Sequence, residues 1–154
     1  MRQWVHELKF AECPVAARTL AELLLLTLAP GYSRAALPEV IVPMPMTWRR
    51  LARRGHNHAL TLARPIAKSL ARPLPKLALR RIKHGPPQSA NTRRRRKLHV
   101  VDAFHSRSWQ GERVALIDDV LTTGATAEAA TQQLLAAGAG EVHLWVAART
   151  LPRC

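Results

Sequence analysis

The residue types best suited to do chemistry lie together in the stretch VALIDDVLTTGAT, positions 114–126. An apolar run ends in two adjacent carboxylates, Asp118 and Asp119, and a segment rich in threonine and glycine follows. Carboxylates suit the hydroxyls of a sugar or a Mg²⁺ ion bound to it, whereas hydroxyls and backbone amides suit a phosphate. The pattern therefore predicts a ligand with a phosphate at one end and a diol at the other, such as a ribose 5-phosphate.

Two predicted elements position these residues: a strand over 112–120 and a helix over 124–138. Because side chains alternate along a strand, Asp118 should share a face with Leu116, while Asp119 points to the other face. Ligands bind at the carboxyl ends of parallel strands. The first amides of the following helix lack intrahelical partners and form an anion site, and Gly124 lets the backbone approach a ligand closely.

The rest of the chain reads as alternating helices and strands, which predicts an α/β fold with a parallel sheet and right-handed crossovers. The first half of the chain is expected to form a helix from near Pro14 to before Pro30, a buried strand within 39–45, a basic turn and a second helix. Asn57 should cap this second helix, and Pro65 should kink or break it. A strand over 76–80 follows, then the strand and helix described above with Gly138 as the C-terminal cap, and a further buried strand over 141–149.

The chain is expected to form a single domain over residues 1–154, with an N-terminal helical segment at 1–37 and a core at 39–149. Within it, residues 83–97 have almost no apolar content, a Pro-Pro pair and a four-arginine block, which predicts a mobile basic loop.

Composition constrains the partners more than the fold. The chain has 24 lysines and arginines against 10 acidic residues, a formal net charge of +14, which favours polyanionic ligands. The two cysteines, Cys13 and Cys154, offer no paired zinc ligands, so no zinc is expected.

The N-terminus lacks a signal-peptide core and the apolar stretch 23–29 is too short to cross a membrane, so we expect a cytoplasmic protein without a membrane span.

An apolar strand that ends in acidic residues also has three other interpretations. A nucleotide-binding P-loop would need a glycine followed by lysine, and none of the seven glycines has one. A dinucleotide fingerprint would need a third glycine where His143 stands. The third interpretation assigns no function: a plain strand–turn–helix with Asp119 as a surface charge.

For the closely spaced His56 and His58, a solvated loop or a phosphate contact is favoured over a metal site.

The stretch ALIDDVLTTGAT resembles the phosphoribosyl pyrophosphate (PRPP) signature of type I phosphoribosyltransferases. The resemblance implies that Asp118 and Asp119 meet the ribose hydroxyls and Mg²⁺. It also implies that the loop after them holds the 5-phosphate, through Thr122, Thr123, Gly124, Ala125 and Thr126. The corresponding fold is a twisted parallel sheet flanked by helices.

More of the chain resembles the ComF/GntX branch of that superfamily. The matching segments are VHELKF (5–10), VPMP (42–45), RGHNH (54–58) and the glutamine Gln88 in the basic loop. The sequence starts where the family's usual N-terminal zinc ribbon would end, so the ribbon either was lost or is encoded upstream of Met1. His56, His58, His99 and Asp102 depart from the family's motifs. The resemblance puts the loop after the first core strand on the pyrophosphate side, with Arg49, Arg53, Arg54 and Asn57.

Two functions follow from the resemblance. The first is PRPP binding with Mg²⁺ and transfer of the phosphoribosyl group to an unidentified acceptor with release of pyrophosphate; turnover is left open, and an enzyme is favoured. Candidates for a catalytic group are Lys83, Arg80 and Arg54. The alternative is a non-catalytic competence accessory that binds single-stranded DNA and uses the PRPP site as a sensor.

The basic loop fits either function: as a hood from which Lys83 or the arginines reach the diphosphate, or as a DNA contact through Arg93, Arg94, Arg95 and Arg96. A plain solvated loop without a binding role is the third alternative. Expected partners are PRPP and, as further candidates, single-stranded DNA, competence proteins and a second copy of the chain.

Overall fold

A computed structural model describes residues 14–33, 35–47, 51–52, 55–82 and 103–150. Its elements are α1 (Pro14–Leu28), a 3₁₀ turn (Ala29–Gly31), β1 (Val40–Pro43), α2 (His58–Ser69), β2 (Leu79–Arg81), β3 (Phe104–Ser106), β4 (Arg113–Leu121), α3 (Ala125–Ala136) and β5 (Glu141–Arg149). The predicted motif at 5–10 and the predicted mobile loop at 83–97 lie outside these ranges. The single-domain assignment and its boundaries stay predictions.

The predicted parallel sheet is confirmed, with strand order β1-β4-β5. Val40 pairs with Val114 and Ile117 pairs with Trp145, so β4 is the central strand of the three. Its side chains alternate between two cores: Val114 and Leu116 face the cluster that includes residues of α3, and Ala115 and Ile117 face the cluster built with α1 and α2. Helices therefore cover both faces of the sheet.

Helix α1 begins at Pro14, as predicted, and gives way to the 3₁₀ turn that contains Pro30. Just beyond it, the hydroxyl of Tyr32 lies 2.9 Å from Nδ1 of His143 and accepts a hydrogen bond from the indole of Trp145 at 3.0 Å. These bonds tie the end of the first helical segment to β5. No helix in the described ranges is both long and apolar enough to span a bilayer.

Helix α2 runs unbroken through Pro65, so the predicted break at this proline is wrong, while the alternative of a kink stays a prediction. Proline removes one intrahelical hydrogen bond, at a cost of about 3 kcal/mol or more. On either side of it, Leu62 and Ile66 are fully buried, and each such side chain contributes about 1.5–3 kcal/mol on burial. Packing on both sides of the proline thus offsets its cost. The predicted cap is confirmed: Oδ1 of Asn57 accepts from the amides of Ala59 and Leu60.

The strand predicted over 76–80 is displaced and belongs to a different sheet. Leu77 is exposed in a left-handed turn, and β2 begins only at Leu79. It pairs antiparallel with β3, which the sequence analysis did not predict, to form a separate two-stranded ribbon. Leu79 and Phe104 bury that ribbon's inner face against the α3 side of the core.

The end of α3 matches its prediction, whereas β5 corrects one. The amides of Gly138 and Ala139 bond back to the carbonyls of Leu135 and Leu134, the pattern of a glycine-terminated helix. Gly138 has a φ of +100°, and a Cβ there would lie 2.6 Å from the Trp109 carbonyl oxygen. Strand β5 was expected to be buried, but Trp145 is its only buried residue because, among the described strands, β5 pairs with β4 alone.

Candidate functional site

A cleft of about 360 Å³ opens at the carboxyl ends of β1 and β4. These strands are neighbours, but α2 follows β1 onto one face of the sheet and α3 follows β4 onto the other. Such a switch point leaves a crevice between the two connections, where ligands bind in α/β proteins. The cleft is lined by Met44, Pro45, Met46, Asn57, His58, Ala59, Arg81, Asp118, Asp119, Val120, Leu121, Thr122, Gly124, Thr126 and Ala127.

The two aspartates lie next to each other in this cleft, half-buried at the end of β4. The amide of Asp119 donates to Oδ1 of Asp118 at 2.9 Å, and the amide of Val120 donates to Oδ1 of Asp119 at 2.9 Å. Burial and, after it, the charge and hydrogen bonding of Asp119 raise the pKa of Asp118 to about 7. A cation or several hydroxyl donors would stabilise the ionised form, so this pair fits a sugar diol or Mg²⁺.

The turn after the aspartates carries donors rather than acceptors. Gly124 occupies the N-cap position of α3 with a φ of +81°, a conformation that favours glycine. Among the described residues, no side chain caps this helix, so its first amides remain available to a ligand. Thr122 and Thr126, whose side chains carry hydroxyls, line the same cleft. Amides, hydroxyls and the positive end of the helix dipole together suit a phosphate.

The structure brings some of the predicted site residues together and separates others. Asp118, Asp119, Thr122, Gly124, Thr126 and Asn57 line the cleft, whereas Thr123 and Ala125 do not. Thr123 instead borders a second cavity on the far side of the turn, with Glu128 and Gln132. Arg80 is exposed and lies opposite His105 on the outer face of the ribbon. Arg49, Arg53, Arg54, Lys83, Gln88 and Arg93 to Arg96 lie outside the described residues.

Arg81 is the main residue that the sequence analysis missed. It lines the cleft from β2, and its guanidinium carbon lies 5.5 Å from the centre of the Phe104 ring. Side chains alternate along β2, so Arg81 shares the inward face with Leu79 while Arg80 points out. The sequence signal for this was present, but the predicted strand ended one residue too early.

One of the two histidines, His58, does not lie in the solvated loop that was one of its two predicted settings. His58 is the first residue of α2, is 1% exposed and lines the cleft, so it does not belong to a solvated loop. Its ring lies edge-to-face with that of His56, with centroids 4.4 Å apart. A phosphate contact by His58 stays a prediction.

Solved structures identify the fold. Glutamine PRPP amidotransferase from B. subtilis matches with a TM-score of 0.60 at 18% identity, over 93% of this chain and 30% of that one. A purine phosphoribosyltransferase from Pyrococcus horikoshii matches with a TM-score of 0.52 at 17% identity, over 85% of this chain and 83% of that one. Together with the parallel sheet and its flanking helices, these likenesses define a protein of the type I phosphoribosyltransferase fold.

Sequence relatives narrow the class to a family. "DNA utilization protein YhgH" of Salmonella typhi is 35% identical over 150 residues, which are 96% of this chain and 66% of YhgH. "Competence protein F" of Haemophilus influenzae is 35% identical over 138 residues, 86% of this chain and 60% of that protein. The chain belongs to this ComF family. It spans 66% or less of the length of these two relatives, and no family model matches it.

Proposed function

We propose that the protein binds PRPP with Mg²⁺ in the cleft and transfers the phosphoribosyl group to an acceptor, releasing pyrophosphate. The observation that carries the proposal is the juxtaposition of an acidic pair and an uncapped helix start in one crevice. A ligand that places a diol beside the first and a phosphate beside the second satisfies both, and PRPP is such a ligand.

The proposed binding mode divides the ligand between two groups of residues. The carboxylates of Asp118 and Asp119 accept hydrogen bonds from the ribose hydroxyls and contribute oxygen ligands to Mg²⁺. The amides at the start of α3, with the hydroxyls of Thr122 and Thr126, donate to the 5-phosphate. The raised pKa of Asp118 is consistent with a carboxylate whose stabilising partners belong to the ligand.

The proposed transfer breaks the bond between the anomeric carbon and the pyrophosphate oxygen and forms a bond from that carbon to the acceptor. No protein nucleophile is needed, because holding the two reactants in line and stabilising the leaving diphosphate account for catalysis. Arg81 suits the second task, since its guanidinium presents several donors to anionic oxygens. Bound Mg²⁺ supplies further positive charge at the diphosphate.

Isothermal titration calorimetry with PRPP and Mg²⁺ tests the proposed function. The wild-type protein should bind PRPP, and the double variant Asp118→Asn/Asp119→Asn should bind at least about a hundredfold more weakly, because each substitution removes a charged acceptor. The matched control is Glu22→Gln/Glu141→Gln, which also removes two carboxylates but at exposed positions away from the cleft. The control should bind like wild type. Absence of heat with folded wild-type protein at millimolar PRPP would end the proposal.

A second candidate function rests on charge and on the names of the relatives. The chain carries a net charge of +14, and its relatives are named for DNA utilization and competence. We therefore also propose, as the alternative, a non-catalytic accessory that holds single-stranded DNA through its phosphates and uses the PRPP site as a sensor. PRPP binding and DNA binding are compatible in one protein, because a PRPP site can be regulatory; the two candidate functions differ in whether the phosphoribosyl group is transferred.

A further inference from the structure

We propose that Asn57 is a positioning residue, which holds the two sides of the cleft's β1 wall together through its side-chain hydrogen bonds. The wall consists of the segment that leaves β1, Met44–Met46, and the start of α2, His58–Ala59. This inference rests on the proposed function, since it assigns that wall to PRPP. The sequence-based expectation that Asn57 lies on the pyrophosphate side stays a prediction beside it.

Both ends of the Asn57 amide are engaged within the protein. Its Oδ1 accepts from the backbone amides of Ala59 and Leu60 at 3.0 and 3.4 Å, which caps α2. Its Nδ2 donates to the backbone carbonyl of Met44 at 3.0 Å. One side chain thus connects the first turn of α2 to the segment that leaves β1, across 13 positions of sequence.

The bond to Met44 affects the site because Met44 joins the end of β1 to the segment that lines the cleft. Its amide donates to the Ile117 carbonyl at 2.8 Å, which continues the β1–β4 pairing by one residue, and its side chain is buried. The Asn57 bond fixes the carbonyl of the same residue. Beyond Met44 the chain passes directly along the cleft as Pro45 and Met46. The bond therefore sets where the wall begins and limits its freedom.

If the wall is already held in place before the ligand binds, less conformational entropy is lost on binding, and the ligand binds more tightly. If the Asn57–Met44 bond is lost while the cap remains, the helix should persist and the segment 44–47 should become more mobile. Ligand affinity should then fall without a matching fall in stability. A residue that served only as a helix cap would give a different result, since restoring any capping side chain would restore the site.

The decisive variant is Asn57→Ser, because serine caps helices as well as asparagine does but is too short to reach the Met44 carbonyl. We expect a melting temperature close to that of wild type, faster hydrogen–deuterium exchange over 44–47 and unchanged exchange over 61–69. PRPP affinity measured by calorimetry should fall about tenfold. Asn57→Asp, which keeps the cap acceptor but has no side-chain N–H, should show the same exchange pattern.

The matched control is Thr61→Ala. The Thr61 hydroxyl donates to the Asn57 backbone carbonyl at 3.1 Å, so this variant weakens the same turn without touching the bond to Met44. It should leave exchange over 44–47 and PRPP affinity unchanged. Exchange over 44–47 that stays at the wild-type rate in Asn57→Ser would overturn the inference. So would faster exchange with undiminished PRPP affinity, or a general loss of protection throughout α2. If wild type binds no PRPP, the proposed function fails, while the exchange data still decide whether Asn57 holds the wall.

Discussion

At the scale of single residues, folding and ligand binding favour opposite protonation states of Asp118: folding favours the neutral carboxyl, and the proposed ligand favours the carboxylate. Folding half-buries its carboxyl beside Asp119, and this raises its pKa from an ordinary 3.8 to about 7. The folded protein therefore holds this proton more tightly than the unfolded chain does. The stabilisation is complete below the unfolded pKa and is lost as pH rises through the folded pKa, so wild-type stability should fall between about pH 4 and pH 7.

The variant Asp118→Asn tests this conflict. Because asparagine carries no charge at any of these pH values, the variant should lose the pH dependence that Asp118 causes. At pH 8 it should be more stable than wild type by about 1 kcal/mol, a magnitude that allows for solvent screening of a half-buried group. Urea unfolding at pH 5 and pH 8 measures both effects, with the exposed Glu22→Gln as control. An unchanged pH slope, or a variant less stable than wild type at pH 8, would contradict the interpretation.

The acidic pair and the turn were predictable because all their residues lie within 13 consecutive positions. Their order along the chain alone places the two aspartates at the end of a strand and the threonines and glycine at the start of a helix. The raised pKa of Asp118 was not predictable, because it depends on packing from other elements. The same holds for Asn57, whose capping role follows from its place before α2 but whose bond to Met44 depends on how β1 and α2 meet.

At the scale of elements, the long strand β4 and the helix α3 were predicted well, and the short ribbon was not. Strand β4 has nine residues and contains a continuous apolar run, and α3 has twelve residues of mostly helix-favouring types before a terminating glycine. Strands β2 and β3 have three each, too few for an alternation pattern to be recognised. The predicted strand over 76–80 ended one residue before the observed end of β2 at Arg81. This error mattered for the site, because Arg81 and not the candidate Arg80 lines the cleft.

The pair Arg80 and Arg81 provides a matched test of the ribbon. Arg81→Gln should weaken binding of PRPP and of free pyrophosphate about tenfold, because a guanidinium contact to anionic oxygens is lost. Arg80→Gln removes the same charge from the outer face and should change neither affinity. Binding of ribose 5-phosphate, which lacks the diphosphate, should be similar in both variants. Calorimetry with the three ligands gives the comparison, and equal effects of the two substitutions would show that only net charge matters.

At the scale of the whole molecule, the order of the strands and the excess of positive charge set what can bind. The α/β class could be predicted from alternating elements, but the order β1-β4-β5 could not, because pairing between distant strands leaves no local signal. The order places the switch point, and hence the cleft, between β1 and β4. The net charge of +14 belongs to the chain as a whole and bears on the second candidate function.

If the protein holds single-stranded DNA through six or more phosphates, affinity should drop about a thousandfold between about 50 and 200 mM salt. Fluorescence anisotropy with a labelled oligonucleotide measures this. Replacing Arg93 to Arg96 with glutamine should weaken binding and flatten the salt dependence, more than replacing the exposed Arg18, Arg64, Arg80 and Arg149. Asp118→Asn/Asp119→Asn should bind DNA as well as wild type or better. A flat salt response in the wild-type protein would argue against DNA binding.

The most direct test of the central claim is a crystal structure of the wild-type protein with PRPP and Mg²⁺. We predict the 5-phosphate at the start of α3, within hydrogen-bonding distance of the amides of the 122–126 turn. The ribose hydroxyls or the Mg²⁺ ion should meet Asp118 and Asp119, and the diphosphate should extend toward Arg81. A phosphate bound in the second cavity behind the turn, or crystals at millimolar PRPP with no ligand density in the cleft, would contradict the account.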